Sequence, residues 1–157
     1  MKKNMVIDEK KCTGCRICEM ICSFTSNPEK VYNPAQSRIK VVKDEEAGID
    51  LPKVCFHCED PLCRESCPVE AIQIGADGVV RIDENLCSGC QACVASCPYA
   101  AIREHRGQII KCDLCGGDPS CVRWCPTKAI QYVETDPVEN RENRRRLQTM
   151  IAQLGKR

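Results

Sequence analysis

Four times along this chain, cysteines crowd together in fours, and any fold proposed for it must say why. The first group is Cys12, Cys15, Cys18 and Cys22; the second is Cys55, Cys58, Cys63 and Cys67. The third is Cys87, Cys90, Cys93 and Cys97; the fourth is Cys112, Cys115, Cys121 and Cys125. Groups one and three share the spacing C-x2-C-x2-C-x3-C, while the middle gap widens to four residues in the second and five in the fourth. Pro68, Pro98 and Pro126 stand directly behind the last cysteine of groups two, three and four.

Sixteen cysteines in 157 residues, with aromatics at only 4%, leave little for a conventional apolar core, so cross-links must help hold the fold. Disulfides, zinc sites and iron–sulfur clusters are the candidates. No apolar leader or twin-arginine stretch precedes Cys12, and no apolar run nears the length of a membrane span. We therefore expect a cytoplasmic chain with no membrane span, in a compartment where disulfides rarely persist. Structural zinc takes two CxxC pairs per tetrahedral site, not triplets followed by an outlying Cys-Pro. No βαβ pattern surrounds any CxxC, which argues against a thioredoxin-like role.

The remaining reading is the run that bacterial two-cluster ferredoxins use for [4Fe–4S] clusters, in which the fourth cysteine ligates the neighbouring cluster. Three thiolates at two-residue intervals curl a loop around one face of a cube. A helix begins there, the outlying cysteine points away, and the proline sends the chain into a strand. Four complete runs imply four [4Fe–4S] clusters, with all sixteen cysteines as ligands.

The segments repeat. VIDEKKCTGCRIC at 6–18 matches RIDENLCSGCQAC at 81–93, and CFHCEDPLCRESCPVEAI at 55–72 matches CDLCGGDPSCVRWCPTKAI at 112–130. Groups two and three are neighbours in sequence, so 53–104 reads as one ferredoxin unit. It is inserted into an outer unit formed by 1–52 and 105–135. On this order Cys55, Cys58, Cys63 and Cys97 hold one cluster, and Cys87, Cys90, Cys93 and Cys67 the next. Cys12, Cys15, Cys18 and Cys125 hold a third, and Cys112, Cys115, Cys121 and Cys22 a fourth. The fold class expected is α+β: two intertwined bacterial-type 2[4Fe–4S] units with short hairpins and helices, plus a C-terminal helical arm at 136–157. Ile72–Ile74 and Val79–Ile82 around Gly75-Ala76-Asp77-Gly78 read as a hairpin. The cysteine-free stretch from Ser23 to Val54 reads as an extended loop with one hairpin arm (strand-like 38–42, acidic turn at 44–46), wrapped on the outside.

With NPAQSRIKV at 33–41 and the CP-x-x-AI echoes, residues 5 to about 133 resemble the four-cluster iron–sulfur subunits of multi-subunit oxidoreductases, related to the dimethyl sulfoxide reductase electron-transfer subunit. That family implies the same pairing of groups one with four and two with three. The short spacer between Cys115 and Cys121 departs from respiratory members. The compact form looks most like the small subunit of tungsten-containing aldehyde oxidoreductases, enzymes of anaerobic metabolism. Iron–sulfur subunits of carbon monoxide dehydrogenase, hydrogenase or formate-linked complexes are close rivals.

No nucleophile–base pair, open-site histidine or phosphate loop appears, so the chain is read as a non-catalytic subunit that relays single electrons. Its partner is expected to be a large catalytic chain containing tungsten or molybdenum, with a flavin- or NAD-linked subunit or another copy of itself as further candidates. A free-standing polyferredoxin is the alternative. Each oxidised cluster with its four thiolates carries a charge of about −2, which takes the formal +1 of the chain to roughly −7. Lys11, Arg16, Arg64, Lys111, Arg123 and Lys128, beside the ligands, then read as local compensation, and nucleic acid is not an expected partner. His57 and His105 read as surface or supporting groups, Trp124 and Tyr99 as packing that shields a cluster. The tail starts with Asp136 as N-cap, Pro137 in the first turn and Glu139 three residues on. Leu147, Met150, Ile151 and Leu154 follow as an apolar stripe, with Gly155 closing the helix. Folding back on the body is one use for that stripe; docking on a partner or a second copy is the favoured one.

Overall fold

The computed structural model describes residues 3–154. Short antiparallel hairpins alternate with short helices, in the α+β class expected from the sequence. Strand β1 (Lys3–Ile7) is followed by α1 (Ile17–Ser26), β2 (Lys40–Asp44) and β3 (Ile49–Lys53). Next come α2 (Leu62–Glu65), β4 (Ile72–Ile74), β5 (Val80–Ile82) and α3 (Ala92–Ser96). The chain ends with β6 (Arg103–His105), β7 (Gln108–Ile110), α4 (Ser120–Arg123), β8 (Ile130–Glu134) and α5 (Pro137–Leu154).

The hairpin expected around Gly75–Gly78 is β4–β5, with Ile72 opposite Ile82. A second hairpin, β6–β7, turns at Arg106 and Gly107, both left-handed (φ 53° and 82°), the backbone that a two-residue turn matched to the strand twist requires. The strand that opens the chain pairs with the last one: β1 runs antiparallel to β8 with Ile7 opposite Ile130. Helix α1 packs on α4, and α2 packs on α3.

Met5, Ile7, Ile39, Leu51, Val54, Ile130 and Leu147 make the main core, and several cysteines are buried among them. Ile72, Val80 and Ile102 form a smaller second core with Cys93. The β2–β3 hairpin sends Ile39, Val41 and Leu51 inward, so the 23–54 segment is a structural wall and not only an outer wrap. Its anchor is Glu19 on α1, buried, whose Oε1 accepts from Val41 N–H at 2.6 Å while Oε2 pairs with Lys40 at 2.9 Å.

The tail corrects the favoured sequence reading. Asp136 does cap α5, its Oδ1 accepting from Val138 N–H at 2.8 Å. The stripe, however, is turned onto the chain's own body: Leu147 is only 1% exposed, and Met150, Ile151 and Leu154 pack against the main core. Asn143 clasps β1, donating to Ile7 O at 2.8 Å and accepting from Ile7 N–H at 3.3 Å. Ile7 and Leu147 are both buried in the one main core, as a free arm would not allow. The expected helix closure at Gly155 lies outside the described residues.

Candidate cluster-binding sites

Each cysteine loop is wound by left-handed residues. In group one these are Gly14 and Arg16 (φ 62° and 60°), and in group three their counterparts Gly89 and Gln91 (φ 70° and 63°). Group two uses His57, and group four Leu114, Cys115 and Gly116. In groups one and three the left-handed residues stand on either side of a cysteine that is not left-handed, the alternation that turns successive N–H groups toward one concavity as an anion cradle; group four has a run of left-handed residues instead. Behind the outlying cysteines the CP-x-x-AI echo repeats as structure. Glu70, Ala100 and Lys128 are left-handed (φ 51°, 45° and 54°), followed by buried alanines 71, 101 and 129 and buried isoleucines 72, 102 and 130.

Three cavities lie under these loops. One is lined by Cys12, Cys15, Cys18 and Cys125. Another is lined by Cys67, Cys87, Cys90 and Cys93, and a third by Cys55, Cys58, Cys63 and Cys97. A fourth gathering shows in the thiols themselves. Burial first, then Cys22 and Cys115, pushes the Cys121 thiol far up; burial, with Cys121 and Cys22 contributing, does the same to Cys112. No cysteine is in a disulfide. Among the described residues no three His, Cys, Asp or Glu side chains converge tightly enough for a single metal ion. The sulfurs surround space instead of meeting at a point.

The surroundings suit clusters. Backbone N–H groups of Arg38, Leu114 and Ala101 donate to the sulfurs of Cys22 (3.3 Å), Cys112 (3.4 Å) and Cys97 (3.5 Å). Burial, then Glu19, pushes Cys18 up to about 12, and burial pushes Cys63 up to about 11. A cationic iron–sulfur core beside these two thiols would favour their ionised form. Cys55 and Cys125 go the other way. Burial pushes the Cys125 thiol up, but the Ile130 backbone N–H and the Thr127 side chain outweigh it; burial pushes the Cys55 thiol up, but Lys111 and then His57 outweigh that and hold it at about 6. The Lys111 amine lies 3.3 Å from Cys55 Sγ. His57 is buried, not at the surface; Nδ1 accepts from Val80 N–H at 3.1 Å, which leaves the ring proton on Nε2. That Nε2 is buried with no partner, on a ring that lines the Cys55 cavity, so an acceptor such as a cluster sulfide would satisfy it.

Other expected supports divide. Tyr99 packs edge-on against Phe56 with ring centroids 4.8 Å apart, as a shield would. Trp124 is 57% exposed and shields nothing within the chain. Of the six basic residues beside ligands only Lys111 is buried; Lys11 and Arg123 pair with Asp8 and Asp118 at the surface. The ion pair of Arg38 with Asp113, beside the Cys22 and Cys112 sulfurs, was not foreseen, nor was the buried Glu19. A cleft of about 470 Å³ opens onto Cys58 between group two and α5, with Tyr99, Asn140, Arg141 and Arg144 on its walls.

Residues 46–135 match the family model described as a 4Fe-4S dicluster domain. One polypeptide of the anaerobic dimethyl sulfoxide reductase of Escherichia coli is 35% identical over 119 residues, 68% of this chain and 58% of that one. A subunit of the tetrathionate reductase of Salmonella typhimurium is 35% identical over 101 residues, 62% of this chain and 40% of the relative. This chain thus spans 58% or less of the length of these curated relatives. Among solved structures, a chain of the active-site complex BamBC of benzoyl coenzyme A reductase, with 1,5-dienoyl-CoA, aligns with a TM-score of 0.50 and 29% identity, covering 98% of this chain and 96% of that one. The sixteen cysteines fit four [4Fe–4S] clusters, and the protein belongs to the 4Fe-4S dicluster family.

Proposed function

We propose that the chain is the electron-transfer subunit of an oxidoreductase complex, doing no substrate chemistry of its own. Its ligand sets are Cys55, Cys58, Cys63, Cys97; Cys87, Cys90, Cys93, Cys67; Cys12, Cys15, Cys18, Cys125; and Cys112, Cys115, Cys121, Cys22. Residues 53–104 form the inserted unit, 1–52 with 105–135 the outer one, and 136–157 the C-terminal arm, whose helix Pro137–Leu154 is braced against the outer unit. Bound at these sets, the clusters supply reversible one-electron transfer. The cysteines fix their positions, backbone N–H groups offset the charge on sulfur, and Val41, Ile72, Ile102 and Ile130 keep water from the cavities.

What supports this reading is the order in which the proposed sets neighbour one another, which we read as a single file. Cys63, Cys67, Cys93 and Cys97 share the small core, joining the two inner sets. The Cys55 and Cys112 thiols feel each other across Lys111, and Cys121 feels Cys18 within the outer unit. The file therefore runs from Cys90 to Cys15, and these two are the exposed cysteines. A relay needs that form: insulated in the middle, accessible at both ends. Cys97→Ser tests it. The altered cluster must be the one framed by Cys55, Cys58 and Cys63, whereas damage to the Cys87, Cys90 and Cys93 cluster would refute the crossed ligation.

For the partner, we favour a tungsten or molybdenum aldehyde oxidoreductase-type catalytic chain in the cytoplasm. The compact resemblance supports this, as does the near full-length likeness to a chain of a reductase active-site complex. Anaerobic co-purification with metal analysis of the large chain tests it; a partner without either metal would refute it. A second reading, a free-standing polyferredoxin, gains from α5, because the stripe that would have docked a partner is spent on β1. Size-exclusion of the native protein separates the two.

A further inference from the structure

The Cys55, Cys58, Cys63, Cys97 set differs from the other three in its charges. Lys111 is 6% exposed, and histidines apart it is the one fully buried cation among the described residues. Its Nζ faces three acceptors: Cys55 Sγ at 3.3 Å, Val80 O at 2.5 Å and Cys112 O at 3.3 Å. Three acceptors match the three N–H bonds of an ammonium; a neutral amine has only two. Arg144, half-buried on α5, faces the same set from the cleft side, where Glu59 and Asp60 also lie, and acts on Cys58. Elsewhere the balance is different. Cys18 has beside it the Glu19 carboxylate, itself paired with Lys40; Arg38 is matched by Asp113; and among the described residues no Lys or Arg donates to a sulfur of the Cys87, Cys90, Cys93, Cys67 set. Both cations come from outside the inserted unit: Lys111 leads into group four, and Arg144 belongs to the tail.

Resting on the ligand sets proposed above, we propose that Lys111, seconded by Arg144, makes the cluster of Cys55, Cys58, Cys63 and Cys97 the first of the four to take an electron. The step is a gain of one electron from a one-electron donor, with no bond made or broken and no proton moved. The reduced cluster carries one more negative charge, and a buried ammonium in contact with a ligand sulfur stabilises that form where little water screens it. This electron then rests mid-file, beside the junction of the two units.

The test uses intact, cluster-loaded protein with dithionite as donor. In wild-type protein labelled with nitrogen-15 in lysine and reduced by one equivalent, pulsed EPR should show the first spin coupled to a lysine nitrogen. In Lys111→Gln that cluster's one-electron equilibrium constant should fall at least tenfold, a midpoint lower by about 59 mV. Lys111→Arg should stay within about threefold of wild type, and Arg144→Gln should lower the same cluster by about threefold. A first spin without lysine coupling overturns the proposal. So does a Lys111→Gln protein with four clusters and less than a twofold change. Should Lys111→Gln fail to load, Arg144→Gln decides, an unchanged first midpoint overturning the assignment. Failure of the ligand sets would show separately, as Cys97→Ser altering the cluster framed by Cys87, Cys90 and Cys93.

Discussion

The seat of α5 on the body gives a prediction that separates the two uses of the tail. Leu147→Ala removes three carbons from a side chain that is 1% exposed and packed in one core with Met5, Ile7 and Ile130. Lost transfer at about 0.8 kcal/mol per carbon gives about 2.4 kcal/mol, and the cavity left behind takes the cost to about 3 kcal/mol or more. At 1.4 kcal/mol per decade, 3 kcal/mol is about two decades in an opening equilibrium. Global unfolding of a cluster protein is rarely reversible, so the assay is hydrogen exchange of the β1 amides in the anaerobic holo-protein. Leu147→Ala should speed exchange at Val6 and Ile7 about 100-fold, while Val138→Ala, at a side chain 62% exposed, should do almost nothing. A change below threefold for Leu147→Ala would mean the helix is not seated on β1. The reasoning about the tail would then fail.

Gly89→Ala should impair the third group selectively. Its φ of +70° is left-handed, and a Cβ there would stand 2.9 Å from the backbone oxygen of Gly107. Backbone cannot swing aside, so about 1–2 kcal/mol of left-handed strain is joined by a clash. Gly116→Ala, at φ +73° with nothing within 4 Å, should be milder. Iron retention per cluster on dilution into chelator measures both, and equal effects would count against the packing of the group-three loop on β6–β7. Loading should also depend on pH. Ligation strips a proton from thiols such as Cys18, pushed up to about 12, and Cys63, to about 11, so affinity for iron and sulfide must rise with pH through neutrality. Anaerobic reconstitution against a competing chelator checks this, and a flat profile between about pH 6 and 9 would contradict it.

Much of the fold was legible because spacing is itself geometry. The C-x2-C-x2-C-x3-C runs, the Gly-Ala-Asp-Gly turn and the Asp136 cap each act within a few residues. What was hidden depends on distant partners. Nothing local says that Lys3–Ile7 pairs with Ile130–Glu134, or that the 147–154 stripe has β1 to cover. The Arg106-Gly107 turn lacked the usual Asn or Asp signal. Lys111 stood out only as one basic residue among six beside ligands; that it alone is buried follows from where β5 brings the Val80 carbonyl. Glu19 reads as an ordinary helix-surface glutamate until the β2–β3 hairpin folds over it.

The account stands or falls on what the sixteen sulfurs hold. Protein purified without oxygen, freshly analysed for iron, sulfide and zinc and then fully reduced, should contain about sixteen irons and sixteen sulfides per chain and show about four interacting spins. Zinc in place of iron, or about eight irons with half the cysteines free, would contradict it.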